Sequence, residues 1–129
     1  MFMTTRRDFI KNTGIATLGT MALSVPSMGF SKNNKLKLAL IGTGARGVGM
    51  WGKSVVKAYS EQVEYVGICD INEGRLEVAK QMMGANCPTF KDLEKMLATT
   101  KPDYLLVNTT DYLHDEHIVK ALEMGINVI

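Results

Sequence analysis

From residue 36 onward, short apolar runs alternate with longer stretches in which apolar residues recur every three or four positions. A short continuous apolar run suits a buried strand, whereas the three-to-four spacing gathers side chains on one helix face. Residues 36–41 therefore read as a strand, and residues 46–59 as a helix with Val48, Trp51, Val55 and Tyr59 on its inner face. Residues 63–69 give a second strand, and residues 73–83 a helix that groups Leu76, Ala79 and Met83, with Gly84 at its C-cap. Residues 87–90 make a short third strand. Residues 92–98 form a helical element carrying Leu93, Met96 and Leu97, which the approach of Pro102 ends. Residues 104–108 are a further strand, residues 114–124 a helix presenting Ile118, Ala121 and Leu122 and closed by Gly125, and residues 127–129 begin another strand. Strands separated by helices imply right-handed crossovers and a parallel sheet covered on both faces. The predicted fold class is α/β, a doubly wound parallel sheet of the Rossmann type.

Composition narrows the functional classes. With 129 residues and 46% hydrophobic content, the chain can build one core of ordinary size. Its formal charge of +2 sits in residues 1–29, where Arg6, Arg7 and Lys11 face Asp8 alone, so the remainder is balanced. A balanced body argues against nucleic acid as a partner, and no basic amphipathic helix marks a membrane surface. Cys69 and Cys87 are too few for a disulfide scaffold and read as small buried apolar side chains, with a disulfide left open for a protein outside the cytoplasm.

The N-terminus supplies an address. Thr5-Arg6-Arg7-Asp8-Phe9-Ile10-Lys11 precedes a weakly apolar run over residues 14–25, diluted by Thr17, Gly19 and Thr20. That run is too short and interrupted to serve as a stable membrane anchor. The segment resembles a twin-arginine export signal, departing only in Ile10 where the pattern has leucine; the alternative is an amphipathic N-terminal helix. The resemblance implies a signal peptide over residues 1–29, a connector over residues 30–35, and a periplasmic destination reached with the protein already folded.

The chemistry-bearing motif is Gly42-Thr43-Gly44-Ala45-Arg46-Gly47, which fits G-x-G-x-x-G between a predicted strand and a predicted helix. Gly42 permits the tight turn, Gly44 lets backbone approach a pyrophosphate, and Gly47 lets helix and strand pack closely. The helix start then offers unpaired N–H groups to phosphate. An ordinary glycine-rich turn would also fit the motif alone. Asp70, at the end of the second strand, adds a carboxylate that can accept from a ribose 2′-hydroxyl and repel a 2′-phosphate, which points to NAD. Arg46 and Arg75 are candidate phosphate contacts; Arg75 could instead stack on adenine, or be a solvated helix residue.

Four stretches in this order resemble the N-terminal domain of the Gfo/Idh/MocA family of sugar-active oxidoreductases: residues 39–47, Gly67-Ile68-Cys69-Asp70, Lys101-Pro102-Asp103, and residues 108–129. The resemblance implies that Asn108, Thr109 and His114 line the nicotinamide side of an NAD site. Thr110 stands where the family's loop has proline. His117, without a motif, reads as a surface or packing residue. In the family a Glu-Lys-Pro segment and a second α/β domain follow, carrying the catalytic lysine, the sugar or glycan site and the oligomer surface. The chain is thus expected to stop before that domain, to hold no catalytic residue, and to belong to a homo-oligomer when complete. The resemblance implies hydride transfer at a sugar carbon. Alternatives are an NAD-dependent glycosidase, as in glycoside hydrolase family 109, working by transient oxidation and elimination, and a non-catalytic truncated nucleotide-binding module.

Overall fold

The computed structural model of the chain describes residues 34–129. The expected export signal and residues 30–33 of the connector lie outside the described residues. Five parallel strands form one sheet in the order β3-β2-β1-β4-β5: β1 (Leu36–Ile41), β2 (Val63–Cys69), β3 (Thr89–Phe90), β4 (Tyr104–Val107) and β5 (Asn127–Val128). The order reverses between β1 and β4, and in such sheets the crevice at the strands' carboxyl ends at this point receives ligands.

Alternation along β1 builds a core on each face. Leu38 and Leu40 pack with Val48, Ile68, Leu76 and Met83 on one side, while Ala39 and Ile41 pack with Leu93, Met96, Leu105 and Ala121 on the other. The β1–β2 register shifts between Leu38 and Ala39, which pair with Tyr65 and Gly67. The extra residue on β2 brings Tyr65 and Ile68, three apart, onto the same face, where strict alternation would separate them. Cys69 lies in one core and Cys87 in the other, both as free thiols.

The helix expected over residues 46–59 is two pieces: a π-helical segment, Arg46–Ser54, and a short α-helix, α1 (Val55–Tyr59). The wider π turn breaks the 3.6-residue spacing, so Gly52 is buried against Met83 and Tyr59 turns to solvent at 54% exposure. The next helix, α2 (Glu73–Met83), is capped by Asn72 and ended by Gly84 in the left-handed region, φ 63°. Helix α3 (Leu93–Thr100) runs further than expected; Asp92 is its N-cap, accepting from Lys95 N at 2.7 Å, and Lys101 closes it with φ 44°. A 3₁₀ turn, Asp111–Leu113, leads into α4 (His114–Glu123), which buries Ala121 but leaves Leu122 exposed. β4 stops at Val107, so Asn108 belongs to the loop beyond it; β3 is shorter than expected and excludes Cys87.

Candidate functional site

Gly42 ends β1 with φ 92°, and its N–H donates to Cys69 O at 2.9 Å. A Cβ on Gly42 would lie 2.4 Å from Asn108 O, and one on Gly47 would lie 2.3 Å from Gly42 O. Both glycines are therefore required by the protein's own packing. Gly44 differs: a Cβ there meets nothing within 4 Å. Gly44 borders both a neighbouring apolar groove and a cavity of about 520 Å³ formed by the carboxyl ends of β1, β2 and β4 together with α3 and α4. The first helical bond runs from Val48 N to Gly44 O at 3.0 Å, so the preceding N–H groups carry the positive end of the helix.

Asp70 braces this loop. Its Oδ2 accepts from Thr43 N at 2.8 Å and from Thr43 Oγ1 at 2.6 Å, while Oδ1 accepts from Asn72 N at 2.9 Å. Burial alone would raise the Asp70 pKa. The hydrogen bonds from the Thr43 hydroxyl, Asn72 N and Thr43 N, with the Arg75 charge, outweigh burial and hold the carboxyl below its ordinary value. A carboxylate offers about four acceptor positions, so three protein donors leave room on Oδ1 for one more.

The opposite wall is the loop after β4. Asn108 N donates to Ile41 O at 2.8 Å, anchoring the loop to β1. His114 Nε2 lies 2.9 Å from Thr109 O; a carbonyl only accepts, so this nitrogen carries the proton. His117 Nδ1 lies 3.2 Å from Thr109 Oγ1.

Of the residues singled out from sequence, Gly42, Gly44, Asp70, Arg75, Asn108 and Thr109 border the cavity together. Thr43 and Gly47 are both buried, Gly47 at the start of the helix. Ala45 faces a neighbouring apolar groove against α2, which Arg75 also borders. Arg46 is exposed and borders neither, and His114 backs Thr109 without bordering the cavity. His117, read from sequence as a surface or packing residue, borders the cavity instead. Its position one helical turn beyond His114 was the available signal, since residues three apart share a helix face. Ile71, Lys91 and Tyr112 also border the cavity and carry no motif.

The residues fit a dinucleotide: a glycine whose missing side chain serves no internal packing, beside a helix start and an ionised carboxylate with spare acceptor capacity. The family model described as an oxidoreductase family with an NAD-binding Rossmann fold, GFO_IDH_MocA, matches residues 36–129. YteT of Bacillus subtilis (strain 168) is 28% identical over 96 residues, which are 71% of this chain and 22% of YteT. The WlbA dehydrogenase from Bordetella pertussis, solved in complex with NADH and UDP-GlcNAcA, is 27% identical at a TM-score of 0.65, over 74% of this chain and 28% of WlbA. Myo-inositol 2-dehydrogenase from Lactobacillus plantarum is 25% identical at a TM-score of 0.63, over 74% of this chain and 27% of that enzyme. The chain thus spans about a quarter of the length of the relatives it matches. Glycine loop, strand order and family match agree: the chain belongs to the Gfo/Idh/MocA oxidoreductase family, and residues 36–129 form its NAD-binding Rossmann unit.

Proposed function

We propose that this chain is the cofactor-holding part of an exported, sugar-active oxidoreductase that moves hydride between NAD and a sugar carbon. The observation that carries the reading is Gly44, which has open space where a side chain would stand and borders the same cavity as Asp70. In this reading Gly44, Ala45 and the helix start receive the pyrophosphate, and Asp70 accepts from the adenosine ribose through Oδ1. Arg75 flanks the adenosine end, while Arg46, exposed and bordering neither cavity nor groove, is given no contact with the cofactor. Asn108 and Thr109 border the nicotinamide end, with His114 holding Thr109 from behind. Bound NAD supplies the hydride chemistry, and the protein's part is to orient it. The relatives solved with sugar-related ligands or named for inositol support a polyhydroxylated substrate. We assign its recognition, the proton transfer and the oligomer contacts to the portion of the relatives beyond the matched quarter. The twin-arginine-like segment at residues 5–11 supports export to the periplasm.

Calorimetric titration with NAD and NADP tests the cofactor assignment. NAD binds more tightly because the Asp70 carboxylate repels a 2′-phosphate; tighter binding of NADP overturns the role given to Asp70. For the complete protein, NADH released in step with sugar oxidation supports the dehydrogenase reading. Cleavage of an aryl glycoside that needs bound NAD but releases no NADH replaces it with the glycosidase.

A further inference from the structure

Thr109 is held twice by the same helix. His114 takes its carbonyl at 2.9 Å, and His117 takes its hydroxyl at 3.2 Å. These two contacts, with the Asn108–Ile41 bond, fix the cavity wall where β4 has ended and no ladder remains to do so. The 3₁₀ turn at Asp111–Leu113 brings the chain back so that α4 can reach Thr109. The histidines divide the work: His114 braces the main chain outside the cavity lining, whereas His117 borders the cavity itself. Among the described residues His117 Nε2 has no protein partner, and no buried side-chain nitrogen or oxygen is left unpaired. That nitrogen is therefore free for solvent or a ligand.

We propose that His117 is a positioning residue of the dinucleotide site, fixing the Thr109 hydroxyl and with it the loop that walls the cavity. The inference rests on the reading that NAD occupies this cavity. With a neutral ring, Nδ1 can accept from the Thr109 hydroxyl. Protonation puts a hydrogen on Nδ1, removes that acceptor and forces the hydroxyl to turn. The surroundings favour the neutral ring: burial lowers the His117 pKa, Glu116 raises it, His114 and Lys120 lower it, and Asp115 raises it, with a net lowering. The facing charges are partly spent, since Glu94 of α3 pairs with Lys120 at 2.7 Å; Lys91 and Asp92 lie on the α3 side of the cavity. Because the folded-state value is lowered, the clamp is intact above the ordinary histidine range and is lost as pH falls through the lowered value. Asp70, held low, stays ionised over most of that range.

The test is NAD titration of the full chain as wild type, His117→Ala and His117→Asn, from about pH 7.5 in steps down to about pH 4.5, so that the lowered value is crossed. An asparagine amide oxygen can stand in for Nδ1 and does not titrate. We expect His117→Ala to weaken NAD binding about tenfold at the highest pH and His117→Asn to stay within about twofold. Wild-type affinity should fall on acidification, and His117→Asn should lack that fall. A folded His117→Ala with wild-type affinity overturns the proposal, as does an equal acid loss in wild type and His117→Asn. A wild type that binds no NAD overturns the cofactor reading instead. ¹⁵N-detected titration of the His117 ring in the wild type keeps the proposal testable if His117→Ala does not fold. Added NAD should lower its pKa further, and an unmoved titration curve sinks the idea.

Discussion

Three glycines in one loop look alike in sequence, yet their neighbours give them different tasks. Gly42 and Gly47 are pressed against backbone atoms that cannot step aside, while Gly44 faces open space. Alanine at position 47 should therefore cost at least about 2 kcal/mol in urea unfolding, as overpacking against fixed backbone does. Alanine at position 44 should change stability by less than about 0.5 kcal/mol, yet weaken NAD binding about tenfold, because its methyl enters the space given to pyrophosphate. Equal stability losses for the two variants would show that the cavity is not what Gly44 serves. The motif was legible because its chemistry is local: a turn, a helix start, a carboxylate at the next strand's end. Asp70's second occupation was not legible, since the reach of Thr43 across to β2 exists only once the strands are paired. For His117 the spacing from His114 was legible but its contact was not: its partner Thr109 lies eight residues back, across a turn that periodicity does not register.

At the scale of elements, caps explain where helices begin and end, and the sequence carries most caps openly. Asn72 and Asp92 accept from backbone N–H groups three residues on, and Gly84 and Gly125 take the left-handed region that Lys101 also takes at the end of α3. The π segment was not legible, because the spacing of Val48, Trp51 and Val55 matches an ordinary α-helix. Packing holds it in place: Gly52 sits against Met83, and side chains take up carbonyls along the segment. Ser54 Oγ donates to Gly49 O at 3.0 Å, and Tyr65 Oη donates to Trp51 O at 2.6 Å. The β2 bulge puts Tyr65 on the face from which it makes that bond. Tyr65→Phe leaves the Trp51 carbonyl without its partner and should cost about 1–2 kcal/mol. Hydrogen exchange should quicken across residues 46–54 more than in α2 or α3. Uniform acceleration across the domain would mean that Tyr65 supports the fold generally and the π segment not at all.

For the molecule as a whole, apolar periodicity was enough to give the strand count, the parallel pairing and the two covered faces. Such periodicity is a property of burial on both sides, which the short apolar runs record directly. It did not give the bulge or the exposure of Tyr59 and Leu122, which depend on how particular layers meet. One arrangement turns the molecule into its own reporter. Cys69 lies under α3 and α4, Cys87 under α2 and the π segment, and burial pushes their thiols up to about 12 and about 11. Neither thiolate forms readily in the closed state, so alkylation should proceed through opening of the layer above each cysteine. Mass-resolved alkylation near neutral pH should yield two rate constants, one for each side of the sheet. Cys69 borders the cavity, so NAD should slow its alkylation more than that of Cys87. Equal slowing would show instead that the two sides breathe together, and that a ligand gripping one is felt at once by the other.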